Sequence, residues 1–150
     1  VKAVIQRVKK GSVEIGERNY YQSIGKGFVI LLGISESDSE NDVVFIADKC
    51  TNLRIFNDEN DKMNLSLKDV NGEVLIISQF TLYGDARKGN RPSFIKSAKP
   101  DKAISLYESF IQRMKNKLGE ENVKSGIFGE MMTVEIINDG PVTIIIESEK

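Results

Sequence analysis

Apolar positions along this chain alternate or run together in short strand-like stretches, interrupted by two segments of helical spacing. KAVIQRV, residues 2–8, reads as a strand, and after residues 9–11 SVEI (12–15) reads as a second. GFVILLGI (27–34) is almost continuously apolar, as expected of a strand covered on both faces. Ser37, Asp38 and Ser39 then offer N-caps, with Glu40 three residues after Ser37 as in a capping box. Val43, Ile46, Ala47, Cys50 and Leu53 recur at three- and four-residue spacing, which predicts a helix to about residue 54. NDENDK (57–62) is a polar loop, and EVLIISQFTLYG (73–84) is a strand preceded by the turn residues Asn71 and Gly72.

Pro100 and Asp101 open a second helix, with Ala103, Ile104, Leu106, Tyr107, Phe110, Ile111 and Met114 on its inner side and Gly119 stopping it. The chain closes with MMTVEII (131–137), an NDGP turn and VTIIIE (142–147), which look like two apolar strands joined at a hairpin signal. The expected architecture is one α+β domain over residues 1–150, a mainly antiparallel sheet or half-closed barrel covered by two helices.

Two features break this pattern. In LIISQFTLY (75–83), Ser78, Gln79 and Thr81 interrupt a strand that otherwise looks buried on both faces. A buried polar group without a partner costs about 1–3 kcal/mol, so each faces a cavity or is hydrogen-bonded across the end of a sheet. Alternation puts Ser78 and Phe80 on one face and Gln79 and Thr81 on the other. Ser78 and Thr81 therefore serve one pocket only if the strand ends or bulges near Phe80. The second feature is Pro141, placed where a hairpin ladder would resume although proline has no N–H to donate. Gly140 is the residue best able to accept the geometry before a proline. An ordinary trans turn and a cis bond, which would aim two carbonyls the same way, both fit.

Composition narrows the chemistry. No apolar run approaches the ~18 residues that span a bilayer, and the apolar part of the N-terminus is too short for a signal peptide. The chain has no histidine and one cysteine, Cys50. An internal disulfide framework, histidine-based acid–base catalysis and His/Cys zinc sites are thereby excluded, and a reducing compartment fits. Neither metal nor cofactor is expected. Cys50 lies on the apolar stripe of the first helix and reads as a buried structural residue. The net charge is −1, yet residues 86–99 carry Arg87, Lys88, Arg91, Lys96 and Lys99 with no acid. That segment is +5, which leaves −6 for the remainder of the chain. Such a loop attracts a polyanion or is simply solvated.

SQFT (78–81), GNRPSF (89–94), FGEMM (128–132) and NDGPVT (138–143), together with the opening AVIQRV, occur in an order and spacing that resembles the D-aminoacyl-tRNA deacylase family over essentially the whole chain. The resemblance implies a cytoplasmic homodimer that hydrolyses the ester between a D-amino acid and the terminal adenosine of tRNA. It implies that Gly140 and Pro141, joined by a cis bond, enter the partner's pocket beside Ser78, Gln79, Phe80 and Thr81. There their carbonyls would reject L side chains while admitting D-amino acids and glycine, including glycine mischarged on tRNA(Ala). Arg7 matches an arginine that holds the Gly-Pro loop; judged alone it would be a surface charge on an edge strand. Met132 matches a methionine near the adenine pocket, with Phe80 packed beside it; judged alone Met132 would fill the core.

Ester hydrolysis needs a nucleophile or activated water and stabilisation of an oxyanion. Thr81 is the obvious side-chain nucleophile, but no base adjoins it in sequence. The alternative route uses the ribose 2′-hydroxyl beside the 3′-ester, with backbone N–H groups near Phe80 and Thr81 orienting the reactants. Arg87, Lys88 and Arg91 would then meet acceptor-stem phosphates. A non-catalytic RNA-binding module, a synthetase-type editing domain and a general esterase are the competing readings.

Overall fold

In the computed structural model, which describes residues 1–148, the chain runs β1 (Lys2–Ile15), β2 (Tyr20–Ile24), β3 (Gly27–Gly33), α1 (Glu40–Asn52), β4 (Phe56–Asn57), β5 (Met63–Leu65), β6 (Glu73–Ser78), α2 (Pro100–Leu118), β7 (Val123–Ser125) and β8 (Thr133–Glu147). β1 pairs antiparallel with β2, β3 and β8. β3–β6 and β6–β7 are parallel. Parallel neighbours need crossover connections, and α1 and α2 lie within them. This explains the continuous apolar runs in β3 and β6, where Val29, Ile30, Leu75 and Ile76 are all buried. The sheet is thus mixed and barrel-like, antiparallel around β1 and covered by two helices, as the expected architecture required.

The two sheet faces form separate cores. One packs Ala3, Ile5, Phe28, Ile30 and Ile76 against Val43, Ile46 and Cys50 of α1 and Leu106, Phe110 and Met114 of α2. The other gathers Val8, Val13, Ile24, Val29, Leu75 and Ile77, with Met132, Val134 and Ile136 against it. Ile104 and Ile111, expected on the inner side of α2, are half-buried at its margin.

Three local expectations are corrected. Residues 2–15 form one strand rather than two; the irregularity at 9–11 is a bulge, with Lys9 unmatched between the pairs Val8↔Asn138 and Lys10↔Ile137. Of the three N-caps offered, α1 uses Ser39, and its capping box is formed with Asp42, whose carboxylate accepts the Ser39 N–H at 2.8 Å, rather than by Ser37 with Glu40. Most consequentially, the NDGP segment is no hairpin. Both halves of β8 pair with β1, and residues 139–142 bulge out between Gln6↔Thr143 and Val8↔Asn138, opposite Arg7 alone. The Asn-Asp-Gly signal marks a break in the ladder and not the expected reversal, because β1 is long enough to pair with both halves.

Cys50 is fully buried, and burial pushes its thiol up to about 12, so it stays protonated and inert at ordinary pH. A thiol-reactive dye at pH 8 should leave the native protein unlabelled and modify Cys50 fully in denaturant. Labelling of the folded protein at the rate of a free cysteine would contradict this packing.

Candidate active site

β6 ends at Ser78, and the chain turns at once into a 3-10 turn, Phe80–Tyr83. The condition for Ser78 and Thr81 to share a site, a strand ending near Phe80, is therefore met. Gln79 fixes the corner: its N–H donates to Leu32 O at 2.8 Å, and its C=O accepts Leu82 N–H at 3.2 Å. Its side-chain amide donates to Thr81 Oγ1. Phe80 is 53% exposed, with its ring edge-to-face against Phe94 at 5.2 Å and its carbonyl accepting Ser97 Oγ–H at 3.0 Å. Thr81 is exposed, and among the described residues neither carboxylate nor amine is hydrogen-bonded to its hydroxyl. Burial, with Asp38 and Glu147 adding, raises the Tyr83 phenol above its ordinary range, so it is no base near neutrality.

At the other motif the Gly140–Pro141 peptide is cis. Gly140 has φ +123, and a Cβ there would come within 3.1 Å of Arg7 Nη2, so two constraints select glycine. Arg7 is only 6% exposed on a strand paired along both edges, so it is not a surface charge on an edge strand. Arg7 Nε–H donates to Asp139 O at 3.1 Å and lies 3.5 Å from the Asp139 carboxylate. Arg7 Nη1 donates to Ile55 O at 2.7 Å and to Asn57 Oδ1 at 3.2 Å.

Within one chain the motifs stand apart. Ser78 is level with Leu32 and Ala3, whereas the bulge faces Arg7 across the order β8-β1-β3-β6. Ordinary sheet spacings make that about 14 Å across and about 13 Å along the strands. Clefts of about 360 and 480 Å³ flank Tyr83, but neither is lined by Ser78, Gln79, Phe80 or Thr81.

Met132 packs on the second core beside the end of β6; a Cβ on Gly126 would meet its Sδ at 2.5 Å and Ile77 at 3.4 Å. Its neighbour Met131 is 91% exposed. In the basic loop, Arg87 is held by Asp85 through two hydrogen bonds of 2.9 and 2.6 Å. That pairing keeps the Asp85 carboxyl well below the usual range. Lys88 and Arg91 are exposed and make no ion pair among the described residues, so with Arg87 engaged the loop offers fewer free cations than its sequence suggests. Sequence reasoning assigned no role to Phe94 and Ser97, which buttress the Phe80 turn, nor to Asn57 and Ile55, which hold Arg7. An aromatic residue inside a basic, otherwise polar loop was the available signal for Phe94.

The D-Tyr-tRNA(Tyr) deacylase family profile matches residues 4–147. A D-aminoacyl-tRNA deacylase of Thermoanaerobacter pseudethanolicus is 53% identical over 150 residues, covering 100% of this chain and 99% of that one. Another from Clostridium kluyveri is 54% identical with the same coverage. Among solved structures, a c-Myc DNA Unwinding Element Binding Protein superposes with a TM-score of 0.93 at 40% identity, covering both chains fully. A probable eukaryotic D-amino acid tRNA deacylase superposes with a TM-score of 0.84 at 20% identity over 98% of each chain, a likeness of fold. Matched end to end by relatives more than half identical to it, this chain belongs to the D-aminoacyl-tRNA deacylase family, a family of hydrolases.

Proposed function

We propose that the chain hydrolyses the ester joining a D-amino acid to the terminal adenosine of tRNA, in a site completed by the Gly140–Pro141 bulge of a second copy. The observation that carries this reading is the separation of the two motifs. Each is displayed at the surface, yet one chain does not bring them together. Ile137 and Ile145, 44% and 66% exposed, stand on either side of the bulge along β8 and add apolar surface suited to a subunit contact. In the assembled site the bulge carbonyls exclude an L side chain and leave room for D-amino acids and glycine, so glycyl-tRNA(Ala) is also a substrate. Selectivity comes from rejection.

Thr81 without a base is a poor nucleophile. The water that attacks the ester is instead positioned with the help of the ribose 2′-hydroxyl. Backbone N–H groups near Phe80 and Thr81 and the Ser78 and Gln79 side chains orient the ester and its developing oxyanion. Phe80 and Met132 flank the adenine. Lys88 and Arg91 meet acceptor-stem phosphates, while Arg87, engaged by Asp85, shapes the loop that presents them.

The direct test follows one tRNA charged separately with D- and L-tyrosine. The D-ester should disappear while the L-ester persists. Survival of both with tRNA still bound would leave a binding module, and equal loss of both a general esterase. For the mechanism, loss of a true nucleophile costs on the order of 10⁴-fold or more in turnover. Thr81→Ala should lose no more than about tenfold, whereas tRNA ending in 2′-deoxyadenosine should be hydrolysed about 100-fold more slowly or worse. A dead Thr81→Ala enzyme that still turns over the 2′-deoxy substrate would assign the chemistry to the hydroxyl. In a Lys88→Glu/Arg91→Glu variant, KM for charged tRNA should rise and the log–log salt slope flatten by about 1–2. An unchanged slope would remove the loop from tRNA binding.

A further inference from the structure

The polar segment NDENDK remains without a part in the reading above, and it lies against the one buried guanidinium that touches the Gly-Pro bulge. We infer that the β4–β5 hairpin sets the position of that bulge through Arg7, and that Asn57 is a specificity-determining positioning residue. This rests on the reading that the bulge excludes L-aminoacyl esters.

Arg7 joins two segments that do not otherwise form a ladder. Its Nε–H grips the bulge at Asp139 O, its Nη2 sits against Gly140, and its Nη1 is held from the opposite side by Ile55 O and Asn57 Oδ1. A guanidinium is a rigid planar fork, so a displacement at Nη1 is carried to Nε and Nη2. The holding side is itself fixed. Phe56 is buried and stacks on Phe28 at 5.0 Å with an interplanar angle of 11°. Beyond Asn57, Asp58 ties the turn. Its Oδ1 accepts the N–H groups of Asn60 and Lys62 at 2.8 and 3.1 Å, its Oδ2 accepts the Asn64 amide at 3.2 Å, and its own N–H donates to Lys62 O at 2.8 Å. Asn57 therefore stands between a core-anchored aromatic and a knotted turn. Of the two acceptors on Nη1, the Ile55 carbonyl belongs to the backbone, so Asn57 is the one a substitution can remove.

Asn57 lies on the surface, its side chain bonded to Arg7, and Ser78 lies two strands over from Arg7, so Asn57 is placed to act through Arg7. Its loss leaves the Phe80 turn untouched and frees the bulge to shift. The deacylation of D-esters should therefore survive while the rejection of L-esters weakens.

The experiment compares wild type, Asn57→Ala and Asn57→Asp on tRNA charged with D- or L-tyrosine, at enzyme excess so that slow L-ester loss is measurable, with thermal unfolding recorded for each. The wild type must first remove the D-ester and spare the L-ester; if it does not, the functional reading fails and this inference falls with it. Given that split, Asn57→Ala should raise the L/D rate ratio about tenfold or more, the scale of one lost hydrogen bond to a charged group. Its D-ester rate should stay within about threefold of wild type, since the reacting groups are undisturbed. Asn57→Asp keeps an oxygen acceptor on the same branch and should retain the wild-type ratio. A wild-type ratio in Asn57→Ala, with or without a lower melting temperature, overturns the inference and leaves Asn57 a structural role. An equal change in both variants overturns it too, because the acceptor oxygen would then not be the determinant.

Discussion

A guanidinium removed from water must be met by acceptors, because an uncompensated buried charge costs several kcal/mol. Arg7 is 6% exposed, and the acceptors that meet it come from places far apart in the chain: the carbonyl and carboxylate of Asp139, the carbonyl of Ile55 and the side chain of Asn57. The bulge in β8, the start of β4 and the middle of β1 are thus pinned at one point. The same contact dictates the neighbouring residue, since Nη2 occupies the approach that a Cβ on residue 140 would need. Arg7, Gly140 with its φ of +123, and the four-residue bulge opposite Arg7 thus meet at one point.

The bulge has a second consequence, in packing. In an unbroken strand Val134, Ile136, Val142, Ile144 and Ile146 would all point to one face. In the folded chain the first two pack on the core around Val8 and Leu75, and the last three on the core beneath the helices. The irregularity at residues 139–142 therefore lets one strand close two cores, while the smaller bulge at Lys9 makes the matching adjustment in β1. A barrel-like sheet curls by such means. Here the device that bends the sheet also carries the segment proposed to select the substrate.

The parts legible in the sequence were those set by local pattern. The helical spacing of Val43, Ile46 and Cys50, the Pro100 start and Gly119 stop of α2, and the doubly buried GFVILL run follow from periodicity and backbone chemistry, and each is present. The strand expected over 73–84 instead stops at Ser78, where the polar residues begin, and continues as a 3-10 turn. What the sequence hid depends on partners distant in the chain. An Asn-Asp-Gly signal specifies a departure from the ladder but not whether the chain reverses, and only the length of β1 decides that. Arg7 looked like an exposed charge because its acceptors lie 48 and 132 residues away. Asp85 disarms Arg87 although it falls just outside the stretch that reads as +5.

The chain has no histidine, and among the described residues the Thr81 hydroxyl is bonded to an amide and to no base. In the proposed mechanism its contribution is mainly positional, which places the demand on rigidity at both motifs. At the turn, Phe80 is held by Ser97 through its carbonyl and by Phe94 through its ring, and Gly84 N–H closes onto Thr81 O at 2.9 Å. At the bulge, Arg7 supplies what a regular ladder would have supplied. Because substrate rejection depends on contacts that fail by fractions of an ångström, a selective surface built on a loop needs an anchor as stiff as the strands around it. A buried, multiply held arginine provides that stiffness where residues 139–142 leave the ladder with β1. The cost of desolvating it is the physical reason the bulge and its distant support fold as one unit.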